Sequence, residues 1–387
     1  MKEIITARMP AEETMMLITV LYEDQKPVEI YAEPVGSDAE LGCIYIGKVD
    51  VIDPRLQAAF VRIGKEKKVY LPLGKEHTAL KSGDEIAVQI IQEAQKTKLP
   101  KVTTAYELTG AFMIVSREPG GLSFSRKLSS EDRKRLQKAA EGFYDEKFHI
   151  LFRTRAEEAA EEELKQEYTS LSNQLDQLQL RAATRSCFTC LYQAPGFAER
   201  LIQSCAPNEL KRFSTDDRNL WEKLFHDTVP PENMVFYEDP ALDLFRLHNF
   251  STLLSEAISK EVHLKSGGTL IIEQTEAFTA IDVNSSRYTG RKTDTELKML
   301  INREAAYEAA RQIRLRQLSG TILIDFINTK DAKEEQELSQ ILQSCFIRDS
   351  VYTQYIDFTR LHICEITRKK RNRSLSEQLR RIRNIHA

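Results

Sequence analysis

Along the first hundred residues the apolar positions come in short runs of β character separated by polar or glycine-bearing breaks. "TMMLITVLY" and "PVEIYAE" flank the polar quartet Glu23, Asp24, Gln25 and Lys26, which predicts a hairpin over residues 14–33. From Gly42 to about Thr104 follow "CIYIGKVDVI", "LQAAFVRI", "KKVYLPL", "DEIAVQII" and "KVTTAYEL". Five strands in so short a span predict a small barrel. "GAFMIVS" adds a β segment, and "EPGGLSFSRKLSSEDRKRLQKAA" reads as a glycine turn followed by a helix that a serine initiates. From about Ala156 to Arg185 the pattern is helical but so polar that a surface helix or a helical hairpin is expected. Residues 195–256, with the single Trp221, read as mixed and irregular.

Beyond residue 265 the pattern sharpens. "GGTLIIEQTEAFTAIDVNSS" predicts paired strands, "TDTELKMLINREAAYEAARQIRLRQLSG" a helix and "TILIDFINTK" another strand. Thr293 with Glu296 three residues on is a capping box, Leu297, Ile301, Ala305, Ala309 and Ile313 form an apolar row, and Gly320 is the expected stop. A strand, helix, strand unit makes its two strands parallel.

Asp282 and Asn284 stand inside what reads as an apolar interior strand, where an ionised carboxylate is costly unless paired, hydrogen-bonded or bound to a metal. In "AFTAID" and "TILID" the aspartates Asp282 and Asp325 sit at nearly the same depth. Neighbouring strands lie about 4.8 Å apart, so both carboxylates could aim at one point. Alternation puts Asn284 on the face of Asp282. Oxygen donors without a nearby His or Cys cluster suit a hard cation, Mg²⁺ above all. The alternative is that one Asp caps a turn while the other pairs with Arg287 or Arg291.

Composition changes this picture little: the chain has 387 residues, 41% hydrophobic and 29% charged, with a formal net charge of −3. That is the profile of a globular protein with room for several domains. "MMLITVLY" is too short for a signal-peptide core or a membrane span, which predicts a cytoplasmic protein. The six cysteines lack framework spacing, as a reducing compartment predicts. Charge is sorted, however. Acids crowd residues 156–167, whereas residues 360–387 hold nine Lys or Arg against two Glu, a local balance of +7 and a candidate polyanion surface or a solvated helix.

"GGTLIIEQTEAFTAIDVNSSRYTG", "EAARQIRLRQLSGTILIDFI" and "ITRKKRNRSL" resemble the catalytic region of the ribonuclease E/G family, and the similarity runs from about Met1 to Gln378. The resemblance implies a Mg²⁺-dependent endoribonuclease (Mn²⁺ able to substitute) that cuts single-stranded RNA to 5′-phosphate and 3′-hydroxyl ends. Asp282, Asn284 and Asp325 match the family's catalytic residues, with Asp282 and Asp325 on the metal. It implies an S1-type, OB-fold RNA-binding barrel, in which Phe60, Tyr70 and Lys98 match two aromatics and a lysine that hold RNA near the cleavage site. OB-type barrels grip single strands by stacking bases on aromatics in a basic groove. In "LFRTRAEEA" and "LTGAFMIV", Arg153, Thr154, Gly110 and Ile114 match a pocket that senses a 5′-monophosphate.

The implied fold is α/β and multidomain. An RNase H-like subdomain at 1–38 and 197–257 is interrupted by the S1 barrel at 39–104 and the 5′-sensor region at 105–196. A deoxyribonuclease I-like catalytic subdomain with the basic C-terminal segment follows at 258–387. The chain departs from the family in several places. It lacks the CPxC pair through which two protomers share zinc, so zinc is not expected and a homodimer would need another construction. Cys187 and Cys190 are expected to be packing cysteines, a further sensor arginine is replaced near Val351 and Tyr352, and Asn328 stands where the family often has an Asp. A non-catalytic RNA-binding or ribosome-associated protein is the competing class. A phosphotransferase is disfavoured, since "GG" at 120–121 and 267–268 is too short to cradle phosphates.

Overall fold

The computed structural model describes residues 1–12, 14–35, 41–74, 79–94, 98–118, 120–205, 209–225, 231–285, 294–327 and 331–383. The chain is a mixed α/β protein of two compact units: one combines Met1–Ser37 with Pro207–Ala387, and the other is Asp38–Ala206.

In the first unit the expected hairpin forms from Thr14–Glu23 and Lys26–Pro34. A strand not foreseen, Lys2–Ala11, pairs antiparallel with the first of these along its whole length. The region read as irregular supplies two more strands, Leu210–Thr215 parallel to Lys2–Ala11 and Met234–Phe236 parallel to Leu210–Thr215, completing a five-stranded sheet.

A second, six-stranded sheet runs in the order Glu261–His263, Thr269–Gln274, Phe278–Asn284, Gly320–Asp325, Ile363–Arg368, Thr353–Phe358. The helices Asp294–Leu315 and Ala332–Phe346 cover one of its faces. There Leu270, Ile272, Ile281, Val283, Ile322 and Ile324 meet Ile301, Ala305, Ala309, Ile313 and Leu342 in one buried cluster. The predicted apolar row of the first helix is therefore its buried stripe, with Leu297 at the margin. Its Thr293 cap lies outside the described residues. Its end is not Gly320: Gln317 adopts φ 54°, Leu318 N donates to Ile313 O at 3.0 Å and Gln317 N to Arg314 O at 3.1 Å. This is a Schellman stop with glutamine in the left-handed position. Gly320, at φ 85°, instead opens the next strand. Gly267 turns at φ 91°, and a Cβ on Gly268 would meet Ile301 at 2.7 Å, so that glycine pair serves a turn and a close approach.

In the second unit, Ile44–Asp53, Ala58–Arg62, Lys68–Pro72, Lys101–Thr103 and Glu85–Gln92 close into a five-stranded barrel, as the segment spacing predicts, through pairing of the first with the last. Its interior holds Val49, Ala59, Val61, Val69, Leu71, Val88, Ile90 and Val102. Cys190–Tyr192 extends the barrel sheet at Ile44–Asp53. A four-stranded sheet follows in the order Gly121–Phe124, His149–Phe152, Met113–Ser116, Glu107–Thr109. The Ser129 cap and Asp132 form a capping box on the helix Ser130–Ala140. Of the two expectations for the polar stretch after Ala156, a surface helix forms and a hairpin does not. A short 3₁₀ turn, Thr154–Glu157, leads to one helix, Glu161–Thr184, which buries Leu164, Tyr168, Leu171, Leu175 and Leu178. Spacings of four and three keep those residues on one narrow stripe, which the surrounding charge disguises.

Candidate active site and RNA-binding surfaces

Asp282 and Asp325 are Cα partners in the parallel pairing of Phe278–Asn284 with Gly320–Asp325. The matched depth read from the sequence is thus a shared register. Alternation sends Ile281, Val283, Ile322 and Ile324 into the helical layer and both carboxylates to the other side, where they are exposed. This corrects the premise of an apolar surround. The helices take the apolar side chains on one face of the sheet, so an inward apolar run and outward, exposed carboxylates share the same strand.

Asn284 Nδ2 donates to Asp282 Oδ2 at 2.8 Å, fixing that carboxylate from its own strand. Among the described residues no cation pairs with either aspartate; Arg287 and Arg291, the alternative partners, lie outside them, as does Asn328. The donors that converge are oxygens alone, a set that suits a hard divalent ion completing its shell with water and phosphate oxygens. Among the described residues no group of three or more His, Cys, Asp or Glu side chains could hold a metal. The pair could therefore supply only part of a coordination shell.

Asn302 was missed by sequence reasoning. It sits 1% exposed on the buried side of its helix, accepting from Ile327 N at 3.0 Å through Oδ1 and donating to Ile327 O at 2.9 Å through Nδ2. That two-point clamp holds the backbone two residues beyond Asp325. A lone amide among Ile301, Ala305 and Ala306 was the available signal, because a buried amide must find partners.

On the barrel, Phe60 and Tyr70 are Cα partners on adjacent strands, their ring centroids 6.2 Å apart and edge to face. Neither belongs to the barrel interior, since Ala59 and Val61, Val69 and Leu71 point inward beside them. Both rings are half-exposed on the outer surface. Tyr70 N donates to Pro100 O at 2.8 Å, which brings the strand carrying Tyr70 beside the segment that begins at the exposed Lys98. Lys67 stands over the Tyr45 ring at 5.5 Å and Lys68 pairs with Asp50 at 2.9 Å, while Lys65 is exposed.

In the four-stranded sheet, Arg153 Nη1 donates to Gly110 O, and Thr154 Oγ1 lies 2.9 Å from Ser125 Oγ. Ile114 is half-buried beside Leu151, its Cα partner. The turn between Glu107–Thr109 and Met113–Ser116 also receives Glu167, whose carboxylate accepts from the N–H groups of Ala111, Phe112 and Met113. Burial pushes the Glu167 carboxyl above its usual range, more than those donors and the nearby Arg153 pull it down.

Cys190 Sγ lies 3.4 Å from Tyr192 O, and burial pushes the Cys187 thiol up. The C-terminal basic segment has Lys369, Lys370 and Arg371 exposed, and Arg380, Arg381 and Arg383 lie on the outer side of the helix Leu375–Arg383. It starts at the far end of the sheet from the acid pair: Arg368 pairs with Gly320, whereas Ile363 pairs with Asp325. That is roughly 17 Å along the strand at about 3.3 Å per residue. Among the described residues no helix is long and apolar enough to cross a membrane.

The profile described as the Ribonuclease E/G family matches residues 107–371. Ribonuclease G of Haemophilus influenzae is 30% identical over 405 aligned residues, spanning 96% of this chain and 82% of that protein. Ribonuclease G of Escherichia coli is 30% identical, spanning 91% of this chain and 77% of its own length. Ribonuclease E of Synechocystis is 29% identical over 94% of this chain, which spans 57% of that relative.

Proposed function

Since the chain belongs to the ribonuclease E/G family and is an endoribonuclease, a hydrolase of RNA, we propose that it cuts single-stranded RNA at Asp282 and Asp325 in RNA processing and decay. The observation that carries this is the shared register of the two aspartates, both exposed on the sheet face away from the helices.

Members of the family are metal-dependent nucleases, and the ion we assign here is Mg²⁺, held by Asp282 and Asp325. When bound there it would supply a water of lowered pKa and charge stabilisation at the scissile phosphate. Asn284 orients Asp282 through its 2.8 Å hydrogen bond. Asn302 keeps the end of the Asp325 strand in place by its clamp on Ile327. Both carboxylates are exposed to an approaching phosphodiester, and attack by water on its phosphorus with the 3′-oxygen as leaving group would give 5′-phosphate and 3′-hydroxyl ends.

Phe60 and Tyr70 would stack bases, with Lys98 on the backbone, which their outward, half-exposed positions favour. Arg153 and Thr154, with Gly110 and Ile114 alongside, would read a 5′-monophosphate. The exposed cations after Arg368 would hold the strand at a distance from the cut. We assign residues 1–38 and 197–257 to an RNase H-like subdomain, 39–104 to the S1-type barrel, 105–196 to the sensor and 258–387 to a deoxyribonuclease I-like subdomain. A cytoplasmic location fits six cysteines that are not joined in disulfides.

The test is cleavage of one unstructured A/U-rich RNA bearing a 5′-monophosphate, triphosphate or hydroxyl, with and without Mg²⁺, by the wild type and Asp325→Asn. Mg²⁺-dependent products that vanish in the variant are expected. Products that persist in Asp325→Asn would overturn the assignment.

A further inference from the structure

The turn between the strands Glu107–Thr109 and Met113–Ser116 is gripped by two side chains of opposite charge, all within the unit Asp38–Ala206. Arg153 Nη1 takes its carbonyls, donating to Gly110 O and, at 3.4 Å, to Ala111 O. Glu167 takes its amides: Oε1 accepts from Ala111 N at 2.5 Å, and Oε2 accepts from Phe112 N at 2.8 Å and Met113 N at 2.9 Å. Three consecutive N–H groups aimed at one point make a nest for an anion. Here that anion is part of the chain. A Cβ on Gly110 would overlap the carbon and both oxygens of the Glu167 carboxylate, so a side chain at 110 would have to push that carboxylate off its three N–H donors, which is the proposed reason for glycine there.

We infer that Glu167 is a positioning residue for 5′-end recognition, an assignment that rests on Arg153 and Thr154 being the 5′-phosphate sensor. Glu167 does not meet the phosphate. It sets the shape of the turn whose carbonyls hold Arg153, and so sets where the guanidinium stands. Hydrogen bonds to a carboxylate are the strong ones, and three of them end on one side chain. Removing that charge also makes the pocket more positive, which favours a phosphate. The gain is one charge interaction, however, whereas the loss is the three hydrogen bonds that shape the turn, and the loss dominates.

The measurement is the ratio of cleavage rates for the same RNA with a 5′-monophosphate and with a 5′-hydroxyl. Any general loss of folded protein cancels in that ratio. For Glu167→Gln it should fall roughly tenfold, or to one if the wild-type ratio is smaller than that, the factor expected from losing one hydrogen bond to a charged group. If Glu167→Gln is too unstable to assay, Glu167→Asp keeps the charge, draws it back by one methylene and should lower the ratio too. A ratio that stays at or rises above the wild-type value removes the positioning role and leaves the sensor in place. A wild-type ratio of one removes the sensor and this role with it. Thermal midpoints add a second readout: Gly110→Ala should lower the midpoint with Glu167 present, by displacing its carboxylate from the three donors, and be close to neutral with Glu167→Ala. Equal effects in both backgrounds would exclude the proposed reason for glycine at 110.

Discussion

Asp282 lies directly across the parallel strand pair from Asp325, each the last outward-facing residue but one or the last of its strand. Like charges opposed across neighbouring strands are destabilising, so the fold bears this pair at some cost. Asp282→Asn and Asp325→Asn should each leave the thermal midpoint unchanged or raised in the absence of divalent ions. Cleavage should fall roughly 10³-fold, the effect of several kcal/mol of lost charge stabilisation. Mg²⁺ should raise the midpoint of the wild type and not of the variants. Scanning calorimetry with and without the ion checks this, and an equal rise in all three proteins would locate the ion elsewhere.

Asn302 acts on the same edge from behind. Asn302→Ala strips Ile327 of two buried hydrogen-bond partners and should cost about 2 kcal/mol of stability. At a temperature where the variant remains folded, the Mg²⁺ concentration for half-maximal cleavage should also increase, because the Asp325 strand end is less well held. A stability loss with an unchanged Mg²⁺ requirement would confine Asn302 to the core.

Phe60→Ala and Tyr70→Ala should each weaken single-stranded RNA binding by about 1–3 kcal/mol. Neither ring is part of the barrel interior, so thermal stability should change little. Tyr70→Phe should bind like the wild type. Titration of a labelled oligonucleotide decides the matter, and full affinity in Phe60→Ala would eliminate the stacking role.

The exposed trio Lys369, Lys370 and Arg371 should contribute to affinity through counterion release. Replacing all three by Ala should flatten the slope of log K against log salt by about 2, at roughly 0.7 per phosphate contact on a single strand. An unchanged slope would mean that this segment is a solvated surface.

Asp349 and Arg368 form a buried pair, with Oδ2 accepting from Nε at 2.8 Å and Oδ1 from Nη2 at 3.1 Å. Burial alone would push the Asp349 carboxyl up, but the Arg368 guanidinium, the Thr353 hydroxyl and Val351 N–H together hold it below its usual value. A folded pKa below the unfolded one means stability that is present above about pH 4 and lost as pH falls through the folded value. Asp349→Asn should therefore cost about 3–5 kcal/mol at neutral pH and flatten the acid limb of the stability profile. Denaturant titrations between pH 2 and 7 provide the check.

The part of the chain that carries Asp282 and Asp325 was legible because its signals are periodic. Two strands of matched length about one capped, striped helix leave little choice of topology, and the depth of Asp282 and Asp325 followed from counting. What counting could not reveal was that Asp282 and Asp325 point away from the helical layer, which turned an expected interior carboxylate into an exposed one. The strand Lys2–Ala11 escaped notice because Arg8 and Pro10 interrupt it and its parallel partner lies some two hundred residues away. Glu167 was illegible for a different reason. It is one acid among many in "AEEAAEEELKQE", and only its stripe-side neighbours Leu164 and Tyr168 and the turn it reaches set it apart. Gln317 shows the limit of residue preferences: the helix stops where its carbonyls are satisfied, three residues before the glycine that composition favours.

The barrel and its neighbouring sheet are inserted between two parts of one unit, whose first sheet needs both Lys2–Ala11 and Leu210–Thr215. During synthesis, then, the amino-terminal hairpin leaves the ribosome long before the strand that covers its edge. The inserted unit has all its segments available first and can fold while that edge still waits. Nascent chains released short of residue 210 should consequently keep a protease-resistant middle while their amino-terminal strands stay prone to edge-to-edge association.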